Sequence, residues 1–273
     1  MVTQIKKYGL MLKETYPDLI LDIYDLFLLQ DYQIETLPQR IEEEMLQKLL
    51  QTYLGVYIFF CRKTPCLEPF FSTLANRPRL VRLTNNELVE LLWEIADLII
   101  YNKDPALFDS RADFGLDFGE VTKHAQLEGK VVLDGGAGSG YLTFKACACC
   151  AKAVVAVEPN PNLRRFMIKK IVKQGLSNVF VLDGFLSKIP VPNNFVDVVL
   201  TSHAIGWNLP AELAEIERVL KPGGSVVHFT GYSFGEPNPI HETITTIPWN
   251  YGLESYEEKT GLKCKYWKTK EAT

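Results

Sequence analysis

Val131-Val-Leu-Asp-Gly-Gly-Ala-Gly-Ser-Gly140 runs from an apolar, β-branched stretch through one acid into a glycine-rich turn, and Tyr141 then opens a helix-like pattern. Glycines between a strand and a helix let the backbone approach a ligand closely. Spacing separates three nucleotide-binding readings of this turn. A phosphate loop of the Walker type needs a lysine after its last glycine, but Tyr141 follows Gly140 and supplies no cation. A dinucleotide fingerprint counted from Gly136 needs glycine at position 141, again Tyr141, and one counted from Gly135 fails at Ala137. What remains is acid-x-Gly-x-Gly-x-Gly, on Asp134, Gly136, Gly138 and Gly140.

Downstream of this turn, short β-branched runs alternate with helical patterns. Residues 131–134, 154–158, 179–183, 195–201 and 225–230 read as strands, and residues 141–151, 161–174 and 210–220 as helices. Near-continuous apolar strands alternating with helices imply a parallel sheet covered on both faces. The helix over 161–174 is the best punctuated, with Asn160 as N-cap, Pro161 at its first position and Gly175 past its end. Lys221-Pro-Gly-Gly224 stops the helix over 210–220. An antiparallel pair over 253–259 and 262–268, turning at Thr260-Gly261, closes the sheet.

Upstream, the texture is helical to about residue 101, with runs over 18–31, 36–61 and 88–100. Thr84 and Glu87 have the three-residue spacing of a capping box, and Pro105 ends the helical stretch by disfavouring helical geometry at Asp104. At roughly 150 residues per domain, 273 residues make about 1.8 domains. The expected division is a helical domain over 1–118 and an α/β domain over 119–273.

The acid-and-glycine spacing has companions in order along the chain. These are Glu158, 24 residues past Asp134 (158 − 134), then Asp183-Gly184, Phe195-Val-Asp-Val-Val-Leu200 and Leu220-Lys-Pro-Gly-Gly224. Together they resemble the class I S-adenosylmethionine-dependent methyltransferases, most closely over residues 127–230. The resemblance implies a Rossmann-like, largely parallel seven-stranded sheet with an antiparallel hairpin at one edge and the cofactor across the strand ends. It implies that Asp134, Gly135, Gly136, Ala137, Gly138 and Gly140 border the methionine part of S-adenosylmethionine. Glu158 would accept from the ribose hydroxyls, with Pro159 and Asn160 beside adenine and ribose. Asp183 would accept from the adenine amino group, Gly184 and Phe185 would line the base, and Ser202 would close the far side. S-adenosylhomocysteine is then the product. Plainer uses stand beside these: the glycines close a tight turn, Glu158 caps the helix opening at Asn160, and Asp183 is a turn acid.

Methyl transfer to a nucleophile is a displacement at an activated sulfonium carbon, so a general base is needed only when the acceptor arrives protonated. His203, in Thr201-Ser-His-Ala-Ile-Gly-Trp207 after the fourth strand, is the candidate, against the plainer use of a packing or orienting loop histidine. His124, His228 and His241 have no partner recognisable in the sequence. Cys147, Cys149 and Cys150 cannot surround a tetrahedral metal from one helical turn, so no metal site is expected. Phe114 and Phe118, just before the glycine strand, either close over the cofactor or belong to a linker. The aromatics Tyr53, Tyr57, Phe59, Phe60, Phe70 and Phe71 read as core.

Composition narrows the partners. With 29 Lys and Arg against 33 Asp and Glu, the net charge is −4, without the basic surplus that phosphate-backbone binding requires. The Asn-Pro-Pro-Tyr type sequence of amino-methylating DNA enzymes is also absent after the fourth strand. A small organic acceptor is therefore favoured over a nucleic acid or a protein, with a non-catalytic binding module, a protein methyltransferase or aminopropyl transfer as alternatives. No apolar run reaches the ~18 residues of a spanning helix, and residues 1–18 lack the apolar centre of a signal peptide. A cytoplasmic location without membrane attachment is expected, and the bunched thiols suit a reducing compartment without disulfides.

Overall fold

The computed structural model describes residues 11–111, 115–259 and 261–272. Two compact units divide the chain, Met1–Leu107 and Phe108–Thr273, where the sequence reading set its boundary at 118.

The second unit is built on β1 (Val131–Gly135), β2 (Ala153–Val157), β3 (Val179–Leu182), β4 (Val196–Ser202), β5 (Leu220–Ser233), β6 (Gly252–Glu258) and β7 (Gly261–Thr269). They form one sheet in the order β3-β2-β1-β4-β5-β7-β6. The first five strands run parallel; β7 is antiparallel to β5 and to β6. Strand order reverses at β1, which pairs with β2 on one side and β4 on the other, Val132 facing Val154 and Val198. The crevice outside the carboxyl ends of β1 and β4 is thus the switch point where open α/β sheets bind ligands.

The apolar runs have the period of two that strands impose. Leu133, Val155, Val199 and Val226 bury one face, and Val132, Val154, Val198 and Val227 the other. Helices α1 (Tyr141–Ala148), α2 (Pro161–Gln174) and α3 (Leu209–Val219) connect these strands. In α2 the expected punctuation is all present: the Asn160 side chain accepts from the N–H groups of Asn162 and Leu163, Pro161 is first, and Gly175 takes φ +66°. Helix α1 is shorter than the reading over 141–151, because the chain turns out of the helix at Cys149 and Cys150 takes φ +57°. Strand β5 begins earlier than expected. Leu220 pairs with Val196, Lys221 to Gly224 bulge out, and pairing resumes at Ser225 opposite Val198.

The first unit is helical, as expected, but in shorter pieces. The run over 18–31 is a short 3-10 helix, Ile23–Leu28, followed by one helical turn, Asp31–Ile34. Asp22 causes this by taking extended geometry and closing a capping box with Asp25, which starts the turn late. The run over 36–61 is three helices, Leu37–Arg40, Glu43–Thr52 and Leu54–Lys63, broken at Ile41 and Tyr53. The Thr84 capping box forms as read, and its helix Asn85–Glu94 gives way at Ile95 to a second, Ala96–Lys103. Phe60 and Phe71 are fully buried with ring centroids 5.6 Å apart. Gln33, also buried, donates to the Leu98 carbonyl and accepts from Asn102.

Candidate functional site

Three glycines give the turn after β1 its shape. Gly136, Gly138 and Gly140 have φ of +68°, +57° and +94°, the left-handed region that side chains disfavour. Gly136 is also crowded: a Cβ there would lie 2.4 Å from Cβ of Ala204, in the segment after β4. The turn is held to the next strand by Glu158, whose Oε2 accepts from the Gly138 N–H at 2.8 Å while Oε1 accepts from the Asn160 N–H at 2.8 Å. Glu158 therefore does cap the opening of α2, the plainer use read from the sequence, and reaches the glycine turn as well.

Two buried carboxylates flank this turn. Asp134 is 1 % exposed and accepts from the Thr143 hydroxyl; burial pushes its carboxyl up to about 6 despite that bond. Glu158 is 5 % exposed and is pushed up to about 7, again chiefly by burial, with its two backbone donors opposing and the Asp134 charge adding. Burial penalises the ionised form of each, so a ligand that offers hydroxyl donors or positive charge here relieves a strained pair. Ser139 Oγ, buried in the same turn, has no hydrogen-bond partner among the described residues.

At the end of β3, Asp183 is exposed and accepts from Arg164 Nη1 at 2.8 Å, and the same nitrogen donates to the carbonyls of Glu158 and Pro159. Gly184 has no room for a side chain, since a Cβ would lie 2.7 Å from Pro190 Cδ. Phe185 follows, exposed. Arg164 and Thr143 had no role in the sequence reading; each lies within four residues of its helix's start, the position from which a side chain reaches the strand ends.

β4 ends at Ser202, and the chain passes on into His203. His203 takes φ +55°, a costly conformation for a residue with a side chain. Its N–H donates to the Phe229 carbonyl of β5, Nδ1 lies 2.9 Å from Ser202 Oγ, and Nε2 lies 3.5 Å from Glu258 Oε1. Burial first, and the Lys263 ammonium second, push the imidazole down to about 4, so it is neutral at pH 7. Glu258 in turn accepts from the Tyr256 hydroxyl at 2.6 Å. Nothing in the sequence marks Glu258 or Tyr256. They arrive because β7 runs antiparallel to β5, which brings the β6–β7 turn to the carboxyl ends of the parallel strands.

The remaining histidines lie apart from this site. His228 is fully buried on β5 with Nδ1 2.8 Å from Thr201 Oγ1, while His124 stacks on Trp267 and lies 2.9 Å from Glu254. His241 Nδ1 is 3.3 Å from the Tyr266 hydroxyl. Phe114 lies outside the described residues, and Phe118 packs against the apolar layer that includes Val121.

Residues 133–228 match the family described as methyltransferase domain. The matched residues run from β1 into β5, inside the second unit, and include the glycine turn, Glu158 and His203. Among curated relatives, it is 27 % identical over 134 residues to a malonyl-[acyl-carrier protein] O-methyltransferase of Serratia marcescens, covering 48 % of this chain and 50 % of that protein. It is 34 % identical over 104 residues to a tRNA U34 carboxymethyltransferase of Ruthia magnifica, covering 37 % and 32 %. The chain thus spans half or less of the length of these relatives. Among solved structures, an S-adenosylmethionine-dependent methyltransferase from Aquifex aeolicus is 22 % identical, with a TM-score of 0.49, over 61 % of this chain and 98 % of that one. No helix among the described residues is long and apolar enough to cross a membrane.

Proposed function

We propose that this protein binds S-adenosylmethionine across the carboxyl ends of β1 and β2 and transfers its methyl group to a small organic acceptor. The observation that carries the reading is Glu158: a buried carboxylate at the end of β2, fixed by two backbone donors and tied to a glycine turn with three positive φ angles. Each of its oxygens keeps a lone pair for a ribose hydroxyl. Asp134 and the unpartnered Ser139 hydroxyl suit the amino-acid end, Gly135 to Gly138 and Gly140 the passage of the cofactor's chain, and Ser202 the side facing β4. Pro159, Asn160, Asp183, Gly184 and Phe185 suit the adenosine, with Arg164 holding Asp183 in place. The bound cofactor supplies an electrophilic methyl group on a sulfonium, so this chain's residues have to bind, orient and, through His203, accept a proton. The small-molecule preference is supported by the net charge of −4, which offers no basic surplus for a nucleic acid.

Calorimetric titration of the purified, cofactor-free chain with S-adenosylmethionine, S-adenosylhomocysteine and NAD tests this reading. Saturable binding of the first two alone is expected. Hydroxyls donated to ionised Glu158 lower its carboxyl from about 7, so binding at pH 7 releases a fraction of a proton, seen as a dependence of the heat on buffer ionisation. Affinity accordingly rises as pH passes from 6 to 8. Glu158→Ala removes bonds to a charged acceptor and weakens binding by roughly tenfold or more; unchanged affinity would remove Glu158 from the cofactor site.

A further inference from the structure

His203 and its surroundings are tied together by geometry, not by sequence. Among the described residues, its N–H donates to the Phe229 carbonyl, its ring lies against Gly231, Nδ1 lies at Ser202 Oγ, and Nε2 faces Glu258 at 3.5 Å. A Cβ on Gly231 would lie 3.0 Å from His203 Cδ2, so β5 is kept bare for the ring. On the other side Ala204 leans on Gly136, so the histidine stands between the glycine turn and the β6–β7 hairpin. The Glu258 side chain is 3 % exposed, against 27 % for His203, and Tyr256 fixes it by a 2.6 Å hydrogen bond. A buried carboxylate held from behind by a phenol and facing one imidazole nitrogen is the arrangement that fixes a tautomer and orients a base.

We propose that Glu258 is the positioning residue for a His203 base: it holds Nε2 in the protonated tautomer and leaves the Nδ1 lone pair, reached through the Ser202 hydroxyl, to take a proton from the methyl acceptor. This rests on the methyltransferase reading above and narrows the acceptor class to nucleophiles that arrive protonated, such as a hydroxyl. The acceptor's O–H bond breaks and its proton passes through Ser202 to Nδ1. Its oxygen lone pair forms the new bond to the methyl carbon, and the electron pair of the broken carbon–sulfur bond stays on sulfur. The imidazolium so formed faces the Glu258 carboxylate, which stabilises it. A nucleophile already ionised, such as a carboxylate, has no use for the arrangement.

The test reads the tautomer directly. The full chain is labelled with ¹⁵N-histidine, the His203 signals are assigned by loss in His203→Asn, and the ring nitrogen shifts are recorded at pH 8. Among the described residues, the groups facing His203 are Ser202 at the end of β4, Tyr256 and Glu258 from β6, and Lys263 from β7; β5 contributes Phe229, Thr230 and Gly231 and no charge. We expect the Nε2–H form in the wild type and a roughly fivefold shift of the tautomer ratio in Glu258→Gln, the upper end of what a charged contact at 3.5 Å contributes. Glu258→Asp recovers part of that shift. A wild-type Nδ1–H form, or a ratio unmoved by Glu258→Gln, overturns the proposal. Should Glu258→Gln fail to fold, Tyr256→Phe serves: it frees the carboxylate from its phenol, and an Nε2–H preference weakened from wild type supports the proposal while an unmoved one counts against it. Titration of the wild-type chain with S-adenosylmethionine runs in parallel. Binding without the Nε2–H form defeats the proposal alone, and the Nε2–H form without binding defeats the methyltransferase reading alone.

Discussion

The glycine turn shows how much one residue type can decide. Gly136 and Gly129 have nearly the same left-handed φ, +68° and +71°, but a Cβ on Gly129 would meet nothing within 4 Å, whereas on Gly136 it would strike Ala204 Cβ at 2.4 Å. The conformational cost of about 1–2 kcal/mol is common to both, and the clash adds about 1–3 kcal/mol at Gly136 only. Gly129→Ala is expected to lower the unfolding free energy by about 1–2 kcal/mol and Gly136→Ala by about 2–5 kcal/mol, measured by denaturant midpoint at constant slope. Equal losses would mean that the Ala204 contact yields freely and that the segment after β4 is not fixed by the turn. The turn was legible in the sequence because its chemistry is local: an acid, alternating glycines and no lysine. Glu258 was not, because no local signal marks a residue whose place depends on strand register 55 residues away from His203 (258 − 203).

At the scale of elements, legibility followed punctuation. Helix α2 has a capping asparagine, a first-position proline and a terminal glycine, and it spans the residues read from them. The run over 36–61 has a proline only near its start and no breaker at Ile41, and at Tyr53 it turns through φ −118°, ψ 85°, a break that only packing imposes. The β4–β5 pair carries a different kind of information, because it buries a titratable group. His228 is fully enclosed, Nε2 has no partner among the described residues, and burial pushes the ring down to about 3. Its folded value lies below the unfolded one, so the unfolded chain binds the extra proton between about pH 6.5 and 3, and stability falls as pH falls through that window. From pH 8 to pH 5 this one ring costs about 2 kcal/mol, or roughly 4–8 °C in Tm for a chain of this size. Asp134 and Glu158 act in the opposite sense, gaining their protons more readily in the folded state, so the wild-type profile alone does not isolate His228. His228→Phe does. The variant is expected to be less stable at pH 8, since Thr201 loses its partner, while its drop from pH 8 to pH 5 is smaller than the wild type's by that amount. An unchanged drop would show that His228 titrates normally and that its burial does not hold it neutral.

At the scale of the whole molecule, chemistry and bulk are divided between the units. Every residue proposed to meet the cofactor, from Asp134 to His203, lies in Phe108–Thr273, and so do Tyr256 and Glu258. That unit has a complete seven-stranded sheet and buries apolar residues on both of its faces. The first unit has an interior of its own, with Leu26, Leu46, Phe60, Phe71 and Leu74 fully enclosed, and no chemical motif. Units with separate cores fold separately as a rule. A fragment of residues 108–273 is therefore expected to unfold in one cooperative transition with a mixed helix and strand circular dichroism spectrum. A gradual melt with dye-binding apolar surface would show that its core is completed by residues before 108. The folded fragment is then titrated with S-adenosylmethionine. Affinity within about tenfold of the full chain, a change of at most 1.4 kcal/mol, assigns cofactor binding to the α/β unit alone. A larger loss means that residues before 108 are needed for cofactor binding.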